Sequence, residues 1–503
     1  MQDVLGRMVT MNCHIKGIYL CLVTLLFSIS SMAQGIDNIW TMGYNGGNFF
    51  YGPMNLNFSS GSLVIDTVDR DMSIGTTNGE ICDSGGNLLF YSNGVYIANS
   101  LNDTMLNGYG LNPSYYTTQY SQYGLLIPQA NLILKVPGSS TKYYLFHETV
   151  YPPQPYETYY LFSSTVDMSL DGGLGAVIQK NNVVFQDTLV GGRITACKHA
   201  NGRDWWLFVP KLYTGKIFKF LVTPAGISGP TIEDLLLPRL NVVGQFVFSP
   251  QGTKFAYYDP ESDLSIGDFD RCTGTMSNVI HFSINDSATA GGLAFSPNER
   301  YLYVSSDKYI YQYDMDSLSN PDPKITVGIY DGTLSQSARA NFYLAALAPD
   351  QKIYISCPNS TFYLHVINFP DSNGISCGFC QHCITLPKKN LFTVPNHPNY
   401  FLGPISSTIC DSLTSNIEDA THSEKEISLF PNPAKDFLTL TNINEQIVSI
   451  EIANQFGVVV EKDLDFSVLN SGLKININFL KSGIYFLRMK SKSRTLIFKF
   501  LKQ

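Results

Sequence analysis

The densest run of potential ligands is Cys377-Gly-Phe-Cys380-Gln-His382-Cys383, two C-x-x-C spacings that share a cysteine. Zinc would need a closed set of four ligands, and His382 beside Cys383 would strain a tetrahedron. Disulfide formation is therefore the favoured reading for Cys377, Cys380, Cys383 and the later Cys410, in a chain that also carries Cys82, Cys197, Cys272 and Cys357. Spacing alone leaves the connectivity open. Asp167-Met-Ser-Leu-Asp171-Gly172 sets oxygen-bearing side chains at alternate positions before a glycine, like half of a calcium loop. Ile178 stands where the loop's bidentate glutamate should be, so a turn is favoured and calcium at Asp167 and Asp171 is the alternative. His147-Glu148 could begin a zinc motif, but position 151 is Tyr. Asp259, Glu261, Asp263, Asp268 and Asp270 read as solvated turns before they read as a calcium site. Neither a G-x-S-x-G elbow nor a phosphate-binding P-loop occurs. Tyr109, Tyr115, Tyr116, Tyr120, Tyr123, Tyr151 and Tyr156 offer flat rings among polar neighbours, which suits sugar or peptide surfaces, although Tyr is also a ready filler between sheets.

The elements that would position these residues are strands. Aromatics make up 13% of the 503 residues and charged residues only 15%, with 40 Gly and 25 Pro, a balance that favours short strands and tight turns over long amphipathic helices. The middle of the chain repeats. Val247-Phe-Ser-Pro-Gln-Gly-Thr-Lys-Phe-Ala-Tyr-Tyr258, Ala294-Phe-Ser-Pro-Asn-Glu-Arg-Tyr-Leu-Tyr-Val304 and Leu347-Ala-Pro-Asp-Gln-Lys-Ile-Tyr-Ile355 share an apolar pair, a proline turn and an apolar strand. Phe248 lies 47 residues before Phe295, and Phe295 lies 52 before Leu347. Periods of this size mark stacked supersecondary units, here β-propeller blades. Asn93-Gly94 and Thr214-Gly215 mark hairpin turns in less regular copies, and Tyr143–Phe146 and Tyr159–Phe162 read as strands across a loop with Pro152, Pro153 and Pro155. The count is six or seven blades, with seven favoured.

The ends have other roles. Lys16, the apolar run from Ile18 to Ile29 and Ser31-Met32-Ala33 before Gln34 form a secretory signal over residues 1–33, too short to span a membrane. Residues 34–410 hold the propeller, 411–426 are a polar linker, and 427–503 carry strand runs that suit a small β-sandwich. The formal charge of −8 argues against nucleic acid as partner.

Two resemblances follow from these residues. The Phe-Ser-Pro strands are similar to those of tryptophan-aspartate-repeat and YVTN-type propellers, without the tryptophan-aspartate dipeptide. More closely, Val166–Gly175, Asp268-Phe-Asp-Arg-Cys-Thr-Gly274 and Pro398-Asn-Tyr-Phe-Leu-Gly-Pro404 resemble stretches of exported Bacteroidetes propellers. The tail resembles the type A C-terminal sorting domain of the type IX secretion system. The residues that carry this likeness are Phe430, Pro431, Asn432, Pro433, Gly457, Gly483, Tyr485, Lys499 and Lys502. That resemblance implies recognition by the type IX machinery and release from the cell or attachment to its surface. The expected function is non-enzymatic binding of a polysaccharide or protein, with no cofactor. The alternative is a lactonase-like hydrolase with a metal in the central channel. The inner-strand residues Phe248, Phe295 and Leu347 are apolar and supply such a channel with no ligand.

Overall fold

The computed structural model describes residues 35–151, 157–235, 244–320, 322–406 and 410, and in the tail 428–431, 434–441, 447–454, 459–462, 466–469, 472–491 and 495–503. The signal segment, the linker, Pro152, Pro153, Pro155, Tyr156, Asn432, Pro433 and Gly457 lie outside the described residues. The chain divides into two compact units, the first ending at Thr414 and the second beginning at Ser415.

The first unit is built from antiparallel meanders in chain order. Their leading strands are β1 (Ile39–Met42), β2 (Gly79–Cys82), β3 (Asn131–Lys135), β4 (Thr195–Lys198), β5 (Gln245–Phe248), β6 (Gly291–Phe295) and β7 (Ala345–Leu347). The meander behind β1 has three strands and each of the others has four. Those behind β2 and β3 join edge to edge through one parallel bridge between Leu106 and Ala176. The proline repeats give β5, β6 and β7, each followed by its Ser-Pro or Ala-Pro turn. Asn93-Gly94 turns a hairpin whose strands pair Ser92 with Ile97. Across the Pro-rich loop, Phe146 pairs with Ser163 and Tyr143 with Val166.

Neighbouring meanders bury one apolar face against the next, and this closes the ring. Phe208 of the fourth meander meets Phe246, Phe255 and Phe269 of the fifth. Tyr258 and Ile266 of the fifth meet Leu302, Tyr311 and Tyr313 of the sixth. Tyr301 and Tyr303 of the sixth meet Ile353, Ile355 and Ile367 of the seventh. Trp40, Met54, Leu56 and Phe58 of the first pack on Tyr354, Leu364 and Val366 of the seventh. Sheets stacked face to face around an axis make a β-propeller. Tyrosine is largely filler here: Tyr257, Tyr258, Tyr303, Tyr313 and Tyr354 are all buried between sheets. The opening strands form a three-stranded meander of their own that packs against the seventh.

The tail folds as a small β-sandwich. One sheet orders Ser428–Phe430, Phe437–Thr441, Gly472–Asn476 and Phe466–Leu469; the other orders Val459–Lys462, Ile447–Asn454, Gly483–Ser491 and Thr495–Lys502. Period-two alternation puts Leu438 and Leu440, Ile450 and Ile452, Leu473 and Ile475, and Leu487 and Met489 into the shared core. Among the described residues no helix is long and apolar enough to cross a membrane.

Candidate functional site

The axis of the propeller is only half filled by its own strands. Residues 393–405, after the last meander, run along β2, β3 and β4. Thr393 Oγ1 donates to Thr76 O at 3.0 Å, before β2 begins. Asn396 Nδ2 donates to Asn131 O and Ile194 O, both at 2.9 Å, at the start of β3 and β4. Tyr400 Oη donates to Ile133 O at 2.9 Å, midway along β3. Ile405 N donates to Ala200 O at 2.8 Å, beyond the end of β4. Gly202 (φ +71°) is needed at this crossing, because a Cβ there would stand 2.5 Å from Pro404 N. Arg271 holds the same exit, donating to Gly403 O at 2.6 Å and to Lys198 O at 2.8 Å.

The other half of the axis is a cavity of about 500 Å³ along β5, β6 and β7. Its walls include Val247, Phe248, Phe295 and Leu347, and the repeat prolines Pro250, Pro297 and Pro349 lie at the strand ends. Amide side chains cross the other end. Gln245 Oε1 accepts from Leu293 N (3.0 Å) and Ala345 N (2.8 Å), while its Nε2 donates to Ala345 O (3.1 Å), so one buried side chain ties β5, β6 and β7 together. Gln129 accepts from Phe246 N at 2.8 Å and donates to Phe246 O and Asn396 Oδ1, both at 3.0 Å. With their polar atoms satisfied, these amides act as struts.

Titratable groups reach the axis from outside the proline repeats. Asp37, partly buried, and His397 both line the cavity, while Asn396 Oδ1 accepts beside them. Glu80 on β2 is fully buried, and its carboxyl accepts from Thr41 N and Thr41 Oγ1, both at 3.3 Å. His397 Nε2 lies 3.1 Å from Glu80 O and 3.7 Å from Glu80 Oε1. Burial pushes Glu80 up to about 8, Asp37 up to about 6 and His397 down to about 4. At neutral pH His397 carries no charge, and Glu80 is largely a neutral acid. Reading the axis from Phe248, Phe295 and Leu347 missed these groups, because they belong to the lead-in to β1, to β2 and to the chain segment threaded along the axis. The Pro398–Pro404 stretch pointed at that segment without revealing its path.

The structure scatters the other sequence candidates. Asp167 accepts from Ser169 N (3.0 Å) and Ser169 Oγ (2.7 Å), a local turn, and Asp171 sits in the short 3-10 helix Asp171–Gly173. His147 is fully buried, its ring nitrogens 2.7 Å from Asn112 Oδ1 and 2.9 Å from Ser164 Oγ, and burial pushes it down to about 3. Glu148, also buried, accepts from Gly192 N at 3.0 Å. Asp259 accepts from Glu261 N (3.0 Å) and Ser262 N (2.7 Å), and Asp268 from Lys254 Nζ and Asn278 Nδ2 at 2.9 Å each. Among the described residues no three His, Cys, Asp or Glu side chains are gathered so as to hold a metal ion. Cys380 bonds to Cys383 and Cys410 to Cys272, while Cys377 is a buried free thiol. His382 faces Asp331 Oδ2 at 2.9 Å. Tyr109 and Tyr115 are largely exposed, and Tyr116 packs on Tyr120 with ring centroids 4.4 Å apart. In the tail Tyr485 stacks on Phe500, and Lys502 Nζ donates to Gln503 O at 2.6 Å.

Residues 428–503 match the secretion system C-terminal sorting domain family. The tail is therefore a type IX sorting domain, which directs its protein to secretion or the cell surface. No curated protein matches the chain. Among solved structures, similar ones include a candidate 6-phosphogluconolactonase from Bacteroides uniformis ATCC 8492 (12% identity, TM-score 0.39, 71% of this chain and 98% of that one). Another is a functionally unknown protein from Desulfotomaculum acetoxidans DSM 771 (10% identity, TM-score 0.39, 72% of this chain and 99% of that one). A third is the Dos1 propeller (12% identity, TM-score 0.35, 63% of this chain and 86% of that one). At this distance none of their activities transfers to this chain.

Proposed function

We propose that this is an exported, non-enzymatic binding protein of Bacteroidetes type. Residues 1–33 take it to the periplasm, the sorting domain takes it across the outer membrane, and a seven-bladed propeller presents a polysaccharide- or protein-binding site. One observation carries the reading: the axial cavity is lined by aromatic and proline walls and by amides that brace the strands, and its size falls within the roughly 300–1,000 Å³ of small-molecule sites. The second reading is a lactonase-like hydrolase with a metal in the channel, for which Asp37 and His397 are the titratable groups that line the cavity. Mass spectrometry of culture fluid and cell surface should find a mature chain beginning at Gln34 and lacking the tail; an intact intracellular chain would end the export claim. Glycan and protein arrays, run beside ester-turnover assays and metal analysis, separate the two functions. Retention of a ligand without turnover is expected, and turnover, with or without a stoichiometric channel metal, would overturn it.

A further inference from the structure

Two disulfides join described residues, and they differ in span and exposure. Cys272–Cys410 spans 138 residues, and its Cys410 is buried. Cys380–Cys383 spans 3, with Cys380 half-buried and Cys383 exposed. A cross-link stabilises mainly by restricting the unfolded chain, and more so for a longer span, so the short one adds far less to stability than the long one. Cys383 is also the only exposed cysteine among the described residues. The free thiols of Cys82, Cys197, Cys357 and Cys377 are buried, and burial raises each of them, which leaves them inert.

The sheet sets the short disulfide apart. In the last strand of the seventh meander, Phe379–Leu391, Cys380 pairs with Val366 and Ile384 with Leu364, so Gln381, His382 and Cys383 stand opposite His365 alone. That is a bulge, and bulges re-aim side chains. Here they aim at the sixth meander. Gln381 Nε2 donates to Ile329 O at 2.7 Å, and its Oε1 accepts from Asp331 N at 3.2 Å. His382 Nε2 lies 2.9 Å from Asp331 Oδ2 and 3.2 Å from Thr333 Oγ1. These contacts, and not the sulfur bond alone, hold the bulge. When protonated, His382 places a positive charge on the residue next to Cys383, which favours a thiolate there. Cys380 is kept in the ladder by Val366, whereas Cys383 faces solvent. The asymmetry makes Cys383 the sulfur that an incoming thiolate reaches and Cys380 the one that leaves. Ile329 and Leu334, on the segment that the bulge grips, are exposed and give a polypeptide an apolar footing that a small thiol would not use.

We infer that Cys380–Cys383 is a thiol–disulfide exchange site, which accepts an electron pair from a cysteine pair of a partner protein. A partner thiolate attacks Cys383 Sγ, the Cys380–Cys383 bond breaks, and the electron pair leaves on Cys380 Sγ, which takes up a proton. The partner's second thiolate then attacks its own sulfur in the mixed disulfide and releases Cys383 Sγ as a thiolate. The partner ends as a disulfide and this chain as a dithiol. In the test, the mature folded chain would be mixed with a C-x-x-C dithiol protein such as thioredoxin, with the single-cysteine variant of that protein, and with glutathione at equal thiolate concentration. Alkylation and peptide mass spectrometry would map the sulfurs. The inference expects the single-cysteine protein to be trapped on Cys383. It also expects the dithiol protein to open Cys380–Cys383 at least tenfold faster than glutathione does, while Cys272–Cys410 stays closed. Trapping on Cys380 or Cys272 instead, or a rate no greater than that with glutathione, overturns it. A second measurement addresses a purely structural bond. The Cys380→Ser/Cys383→Ser variant should melt close to the unmutated chain; a fall as large as that of Cys272→Ser/Cys410→Ser would make the short disulfide a staple and sink the exchange site.

Discussion

Along β2, β3 and β4 the axis is filled by the chain itself, in residues 393–405, whereas along β5, β6 and β7 it is left as a cavity. The filled side belongs to the irregular meanders and the open side to the three with the proline repeat. A propeller of regular blades leaves a channel, and this one closes half of it with a polar strap anchored by side chain to backbone bonds. The rest becomes a walled pocket with few unsatisfied groups. The repeats shape the site, while its titratable groups, Asp37 and His397, come from segments that do not repeat.

The sharpest way to break the contrast is to loosen the strap. Cys272–Cys410 closes a span of 138 residues just past its exit. By the chain-entropy account such a closure is worth about 5 kcal/mol, so replacing both cysteines with Ala should lower the urea midpoint strongly and, because the unfolded chain is then less compact, raise the slope, as equilibrium denaturation would show. Asn396→Ala comes next. It leaves Asn131 O and Ile194 O without their donor and Gln129 without an acceptor, a loss of about 3 kcal/mol, and it should also raise the Kd of any axial ligand by disturbing the Gln129 strut.

A smaller effect tests the acid under the strap. The folded-state pKa of Glu80, about 8, lies above its ordinary value of 4.5. Its contribution to stability is complete below pH 4.5 and is lost as pH rises through about 8. His397, His147 and His365 are depressed by burial to about 4, 3 and 3, from 6.5, so their contribution is present above pH 6.5 and is lost as pH falls toward those values. The effects oppose each other between pH 4.5 and 6.5, which leaves pH 6.5–8 as the window for Glu80 and for Glu148, whose carboxyl is also held well above 4.5 by burial. Across it stability should fall, by up to about 1.4 kcal/mol per pH unit for each of the two carboxyls, and Glu80→Gln should make the decline shallower in a pH series of thermal melts. The smallest change is expected far from the axis. Lys142→Ala removes an ion pair with Asp167 that spans 3.9 Å with Lys142 half exposed, and should shift stability by less than about 0.5 kcal/mol.

Much of the fold was legible because its signals are local. Pro250, Pro297 and Pro349 announce turns, and the alternation of Leu438 with Leu440 announces a half-buried strand. The tail's motif residues were legible as a family signature before any geometry was known. The site was harder to read. Residues 393–405 have no periodicity, because an irregular segment threaded along the axis bonds to the strands through Asn396, His397 and Tyr400 individually. The partner of Cys410 depends on where that segment leaves the axis, which spacing does not encode. Asp37 and His397 look ordinary in sequence; only their place on the cavity wall sets them apart.

The central claim is that the open half of the axis is the ligand site. Difference density from crystals of the mature protein soaked in the tightest-binding ligand from the glycan and protein arrays tests it most directly. The expected result is ligand density inside the cavity, against Val247, Phe248 and Leu347. A fully occupied ligand on an outer face, with the cavity holding only water, would contradict it.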